Sequence, residues 1–485
     1  MQKTRARVWV LFLMGILLVA TPITPLTTVP SFLPSVSAGS MINPPTFNVA
    51  GINASMRRVF AWLMSRILPN GTATLQTTSN NLWSTSLVGR VLTYLQLEMG
   101  NATTRALIQN MTSAEHLLLQ NPSYVMTGVW PAANFTSQLR VHLDAQKFLS
   151  RAYGITLDQT ARSDMISTTQ NLQLNAPNRD GYFDTIAWGL SNAIWFAYYT
   201  KFPLPPPTDF TTAVQDLNTR FNSTKARAVA SSPYVDFSTI LHYLRAYAYT
   251  DSYFRLRGSP LDQSYLDLET GLANQLVRRQ MPNGNLTTLN QFKSYLVEDF
   301  ARDLDTSTYL EDNLTYAFSA FKAESFLTSL YLQQNGNFSL PKSGEGTSTT
   351  AAPHMLAIAN DVRPCSSDAW SSMLLSSSRI INYTLTTQYP DGTFRFFLNR
   401  TNPGFALTTA GAVSSLVDSY VILRNKNVLS PLQSTSLSAC QPTAPASPFQ
   451  GLSILLVAIP IAGIIGVAIV YETRHRSKYH GLVEK

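Results

Sequence analysis

A short turn that recurs at a nearly fixed interval constrains this chain more than any other feature. Its fullest form is Gln388-Tyr389-Pro390-Asp391-Gly392-Thr393-Phe394. Related stretches occur at Pro69-Asn70-Gly71, Pro177-Asn178-Arg179-Asp180-Gly181-Tyr182-Phe183, Gln280-Met281-Pro282-Asn283-Gly284 and Gln334-Asn335-Gly336-Asn337-Phe338, with weaker versions at Gln120-Asn121-Pro122 and Ser232-Pro233-Tyr234. Taken at the proline, or at Asn335 where proline is missing, the positions are 69, 122, 177, 233, 282, 335 and 390, a period of about 54 residues. Proline stops a helix by removing an N–H and fixing φ, and Asn/Asp-Gly tolerates positive φ, so a helix must end at each turn. The interval holds about two helices of roughly 12–20 residues, a hairpin that cannot bury its apolar face alone. Such hairpins stack or close into a ring. The expected fold is all-α, an α/α toroid of about six helical hairpins, with one transmembrane helix near the C-terminus.

The chain ends give the expected topology. Residues 1–38 read as a secretory signal, with Lys3, Arg5 and Arg7 before an apolar run from Val8 to Ala20 and a small-residue exit at Ser35-Val36-Ser37-Ala38. Residues 451–471 read as a membrane span followed by Arg474, Arg476 and Lys478, so the tail 472–485 is expected inside and the preceding part outside. The stretch 429–450, rich in Ser, Pro, Thr and Ala, reads as a stalk after an ectodomain of residues 39–428. Of the net charge of +8, three units fall in the leader and two in the tail, leaving +3 outside. So small an excess supplies no field for nucleic acid.

Export agrees with eleven Asn-x-Ser/Thr sequons, at Asn53, Asn70, Asn101, Asn110, Asn134, Asn222, Asn285, Asn313, Asn337, Asn382 and Asn399. The two cysteines, Cys365 and Cys440, can pair with each other in one way only, which would tie the stalk to the last hairpin. An unpaired thiol or a bond between molecules is the other reading.

The helix candidates follow the turns. Met56–Leu68 leads to the first, and Leu82–Met99 stops at Gly100. Leu139–Tyr153 ends at Gly154, where Gly154-Ile155-Thr156-Leu157-Asp158-Gln159 matches Gly258-Ser259-Pro260-Leu261-Asp262-Gln263. Both read as a glycine stop before a capped helix start, with Thr156 or Ser259 as N-cap. The last hairpin spans Trp370 to Leu423.

An apolar helix, a Gln-x-Pro-Asp-Gly-x-Phe turn and a small-residue helix such as Ala406-Leu407-Thr408-Thr409-Ala410 together resemble the repeat of the squalene cyclase and protein prenyltransferase superfamily. That resemblance implies an α/α toroid over most of residues 55–425. Its activities carry over poorly. Asp303-Leu304-Asp305-Thr306 keeps three positions of the cyclases' Asp-x-Asp-Asp motif, with Asp305 as the implied acid, and His116, His142, His242 and His354 show none of the spacing a prenyltransferase zinc site needs.

The densest acidic cluster is Glu298, Asp299, Asp303, Asp305, Glu311 and Asp312. Paired carboxylates in a funnel loop suit glycoside chemistry, and Asp299, Asp303 and Asp305 are the catalytic candidates. The same oxygens could hold Ca²⁺, although no cofactor is otherwise called for, and the first reading of the cluster is a solvated, glycosylated loop in which Asn313 begins a sequon and Glu298 pairs with Arg302. No nucleophile elbow, phosphate loop or zinc-protease motif occurs. The primary expectation is therefore a membrane-anchored glycoprotein whose ectodomain binds an extracellular glycan or protein ligand or plays a structural part, rather than an enzyme. The alternative is a polysaccharide-acting glycoside hydrolase or lyase using the Asp299–Asp305 loop.

Overall fold

The computed structural model describes residues 44–75, 81–125 apart from 101, 135–175, parts of 240–251, 263–286, 314–346 apart from 341–343, 351–395, 406–425 and 428–430. These residues are predominantly helical, with α1 Val49–Met64, α2 Asn81–Met99, α3 Ala102–Leu119, α4 Phe135–Thr156, α5 Gln159–Asn175, α6 Gln263–Arg279, α7 Leu314–Tyr331, α8 Ala351–Val362, α9 Ser367–Thr386 and α10 Ala406–Asn425. The expectation of a purely helical domain needs one correction. A two-stranded antiparallel ribbon, β1 Phe338–Leu340 paired with β2 Gly344–Gly346, follows the Gly336 turn, because the chain leaves that turn extended.

The helices fall into two classes. In α1, α3, α7 and α9 one face is buried and the other meets solvent, whereas α2, α4, α8 and α10 are buried on nearly every side. A helix enclosed on all sides belongs to an inner layer, and one with a single apolar stripe belongs outside it. Packing agrees: α8 lies on α10, α10 on α2 and α2 on α4, while α9 covers α8 and α3 covers α2. With α5 and α6, which also bury one face, the outer helices among the described residues begin at 49, 102, 159, 263, 314 and 367.

The turns are what fasten one repeat to the next. Four of them share one geometry, a reverse turn closed onto Gly71, Gly284, Gly336 and Gly392, whose amides donate at 2.9–3.0 Å to Leu68, Met281, Gln333 and Tyr389. All four glycines have φ between +83° and +97°, the left-handed region that a side chain resists. Each glycine also presses on an outer helix, with a methyl group there meeting the backbone oxygen of Asn110, Lys322, Arg379 or Arg58 at 2.0–2.4 Å. On the inward side, Ala73 N–H donates to Thr85 Oγ1 and Phe394 N–H to Thr409 Oγ1, at 3.0 and 3.1 Å. The turn thus joins its own inner helix to the neighbouring outer helix.

The last turn closes the series onto the first helix. Gln388 Nε2 donates to Ser55 O at 3.1 Å and to Gly392 O at 3.0 Å, as Gln280 Nε2 does to Ser319 O and Gly284 O. The joint across more than 300 residues therefore repeats a joint between adjacent repeats, and α1 packs against α9 and α10. This is the contact an α/α toroid requires. Caps fit the same scheme: Asn48 Oδ1 accepts from Gly51 N and Ser366 Oγ from Ala369 N, starting α1 and α9.

One boundary differs from the sequence reading. Helix α4 passes through Gly154 and ends at Thr156, and Leu157, not a glycine, takes the left-handed position with φ 58°. Asp158 rather than Thr156 caps α5, its carboxylate accepting from Thr160 N at 2.8 Å. Thr156 is occupied otherwise, donating its hydroxyl to Ala152 O. Cys365 is disulfide-bonded, and the chain's other cysteine, Cys440, lies outside the described residues. The signal 1–38, the expected stalk 429–450 beyond its first two residues, and the expected span 451–471 lie outside them too, while Leu429 packs against the core and Ser430 O accepts from Arg363; among the described residues no helix is long and apolar enough to cross a membrane.

Candidate active site

Charged side chains gather on the three adjacent inner helices α2, α4 and α10. Residues Trp83, Arg90 and Tyr94 follow one another at helical spacing on α2, Asp144, Lys147 and Arg151 do so on α4, and Ser414 and Asp418 on α10. These positions lie on helices buried on nearly every side, among uncharged polar residues such as Ser84, Thr93 and Gln146. Asp144 binds both neighbours on α2: its carboxylate accepts from Trp83 Nε1 at 2.9 Å and pairs with Arg90 at 3.3 Å. Arg151 is fully buried and donates to the Tyr94 hydroxyl.

Asp418 is the only charged residue in Ala406–Leu423. It retains part of its surface to solvent, yet the surrounding protein pushes its carboxyl up to about 7, against the opposing pull of Arg151, Ser414 and Arg90. Burial raises a carboxyl because the charged form loses hydration that the enclosing protein does not replace. Ser414 Oγ lies 3.4 Å from its carboxylate. Arg90, held by Asp144 on one side, is half-buried and acts on Asp418 from the other.

A second cluster lies behind this one, between the outer and inner layers. Glu115 of α3 is fully buried, and burial pushes its carboxyl up to about 8, with Asp164 and Asp144 adding to the shift. Its neutral acid bonds to the Ser86 hydroxyl, which also reaches Leu82 O at 2.8 Å. A hydroxyl carries one proton, so Ser86 donates to Leu82 and accepts from protonated Glu115. Nearby, His116 Nδ1 meets the Asp164 carboxylate at 2.9 Å. Glu115 touches no solvent, which makes it a packing element rather than a reactive group.

The sequence-derived candidates fare differently. Asp299, Asp303 and Asp305 lie outside the described residues. Of the histidines, His116 pairs with Asp164 and His142 Nδ1 bonds Gln138 O at 2.9 Å, and burial holds His142 below its ordinary pKa. No group of three metal-ligating side chains occurs among the described residues. Asp418, Arg90 and Asp144 escaped notice in the sequence, although a lone charge inside Leu407–Leu423 was a signal available there.

Neither a family model nor a curated protein matches the chain. Several solved structures follow a similar path. They include a heparin-specific unsaturated glucuronyl hydrolase (10% identity, 78% of this chain and 99% of that one, TM-score 0.43). An inactive variant of an α-1,6-mannanase from Salegentibacter, in complex with α-1,6-mannotetrose, is another (10% identity, 76% and 99%, TM-score 0.44). A family 88 glycosyl hydrolase from Bacteroides vulgatus gives 11% identity over 68% and 98%, with TM-score 0.37. The three are a glucuronyl hydrolase, a mannanase and a family 88 glycosyl hydrolase, not members of the squalene cyclase and prenyltransferase superfamily. The expectation of a binding or structural module is corrected to the alternative reading, since several of the similar structures are named as glycoside hydrolases or a polysaccharide lyase. At such identities and scores no residue role passes from them to this chain.

Proposed function

We propose that the chain is a glycoside hydrolase or polysaccharide lyase acting on an extracellular polysaccharide. The observation that carries this reading is Asp418, a water-accessible carboxylic acid whose proton is retained to about pH 7, set beside Arg90 and Arg151 on the inner helices. A raised carboxylic acid can protonate a leaving glycosidic oxygen at neutral pH, and an adjacent guanidinium can stabilise a developing anion. Asp144 positions Arg90 rather than reacting, since both of its oxygens are engaged by Arg90 and Trp83. Glycoside hydrolysis uses a second carboxylate, for which Asp299, Asp303 and Asp305 are the candidates we propose from the sequence. We further propose export by residues 1–38 and anchoring by 451–471, which would place the site outside the cell with its glycan substrate.

The test is reducing-end or unsaturated-end release from a panel of polysaccharides by the full chain. Turnover lost in Asp418→Asn and in Asp303→Asn or Asp305→Asn, with helical content unchanged, supports the assignment. Turnover that survives Asp418→Asn shows that the acid lies elsewhere.

A further inference from the structure

The eleven sequons are equal in the sequence but not in the fold. Asn70 is exposed at the tip of the first turn, where its Oδ1 accepts from Thr72 N at 3.1 Å and Thr72 Oγ1 at 2.8 Å. Both bonds use the oxygen, so a sugar on Nδ2 leaves the turn closed. Asn110 is exposed on α3, and its Nδ2 makes a long contact of 3.4 Å to Pro69 O, which water can replace. These two sequons, forty residues apart in the chain, therefore meet at one joint, where Gly71 rests on the Asn110 carbonyl. Asn382, exposed on α9, stands apart from that joint.

Asn337 is the opposite case. It is fully buried, and neither its Oδ1 nor its Nδ2 has a hydrogen-bond partner. It follows Gly336, where a methyl group would stand 2.1 Å from Arg379 O and 2.9 Å from Tyr383 Cβ. A sugar on Asn337 would have to force this turn off α9, and the joint could not form.

We infer that Asn70 and Asn110 form a paired N-glycan site on the joint between the first two repeats, and that Asn337 carries no glycan in any folded molecule. The inference rests on export of the chain, not on its catalytic activity, so failure of the hydrolase reading leaves it standing. The test is expression of the full chain in a host that performs N-glycosylation, isolation of the folded monomeric fraction, enzymatic release of glycans in heavy-oxygen water, and site-by-site mass spectrometry. Heavy-isotope deamidation at Asn70 and Asn110 and none at Asn337 is expected. Asn70→Gln and Asn110→Gln should each remove one glycan, and the double variant both. A glycan on Asn337 in the folded fraction, or chain with Asn70 and Asn110 both bare, would overturn the assignment.

Discussion

Arg58 of the first helix and Gln388 of the last turn are joined across 330 residues: Arg58 Nε and Nη2 both donate to Gln388 Oε1, at 2.8 and 2.6 Å. The same glutamine donates to Ser55 O, so both ends of its amide are committed to α1. The N-terminal helix is thereby held as the missing neighbour of the last hairpin. Gln388→Ala leaves the Ser55 and Gly392 carbonyls without this donor at a half-buried joint, and a loss of about 1–3 kcal/mol is expected. Chemical denaturation measures it, and an unchanged midpoint would show that the joint contributes nothing.

Gly392 carries a second constraint at the same place. Its φ of +97° and the 2.3 Å approach of a would-be methyl to Arg58 O both oppose any side chain. Gly392→Ala is expected to destabilise by at least about 1–3 kcal/mol, and Gly284→Ala, at φ +90° against Lys322 O, by a similar amount. Unfolding curves that separate the two variants widely would contradict the equivalence of the closing joint with an internal one.

Close approach also defines the inner layer. A methyl group at Gly89 of α2 would stand 2.6 Å from the ring of fully buried Phe148 on α4. Gly89→Ala should cost about 1–3 kcal/mol through overpacking. Adding Phe148→Leu should return part of that loss, whereas strictly additive effects in a double-mutant cycle would show that the ring is not what the methyl meets.

The raised acids fix the sign of the pH dependence. Glu115 and Asp418 titrate in the folded chain near 8 and 7, above their ordinary 4.5 and 3.8, so the folded state holds protons that the unfolded state releases. Their contribution is complete at acid pH below the ordinary values and is lost as pH rises through about 7 and then about 8. Glu115→Gln keeps the hydrogen-bonding shape without the charge. Its thermal midpoint should fall less steeply than that of the unaltered chain from about pH 5 to about pH 9. Parallel curves would mean that Glu115 is not a buried neutral acid.

The turns were legible in the sequence because their chemistry is local. Proline, Asn/Asp and Gly specify the reversal within a few residues, and their period announced the hairpins. The closing joint was less so, since nothing local to Gln388 or Arg58 says that they meet. At Gly154 local reasoning failed for a physical reason: the residue sits inside a buried helix, where packing outweighs propensity, and Leu157 takes the positive φ instead. The ribbon at Phe338–Gly346 was missed because a three-residue strand leaves too short an alternation to detect. The candidate acid was hidden for another reason. Asp418, Arg90 and Asp144 come from helices distant in sequence, and only packing of α10 and α4 on either side of α2 brings them to one surface. The acidic loop drew notice because its charges are contiguous, which is a property of composition rather than of a site.

The central claim is that Asp418 works as a proton donor on a glycan, and the pH–rate profile of polysaccharide cleavage tests it most directly. With the acid required in its protonated form, kcat/KM should fall as pH rises above about 7, and Asp418→Asn should abolish that limb together with most of the activity. A rate that climbs through this range, or a profile left unaltered by Asp418→Asn, would contradict the account.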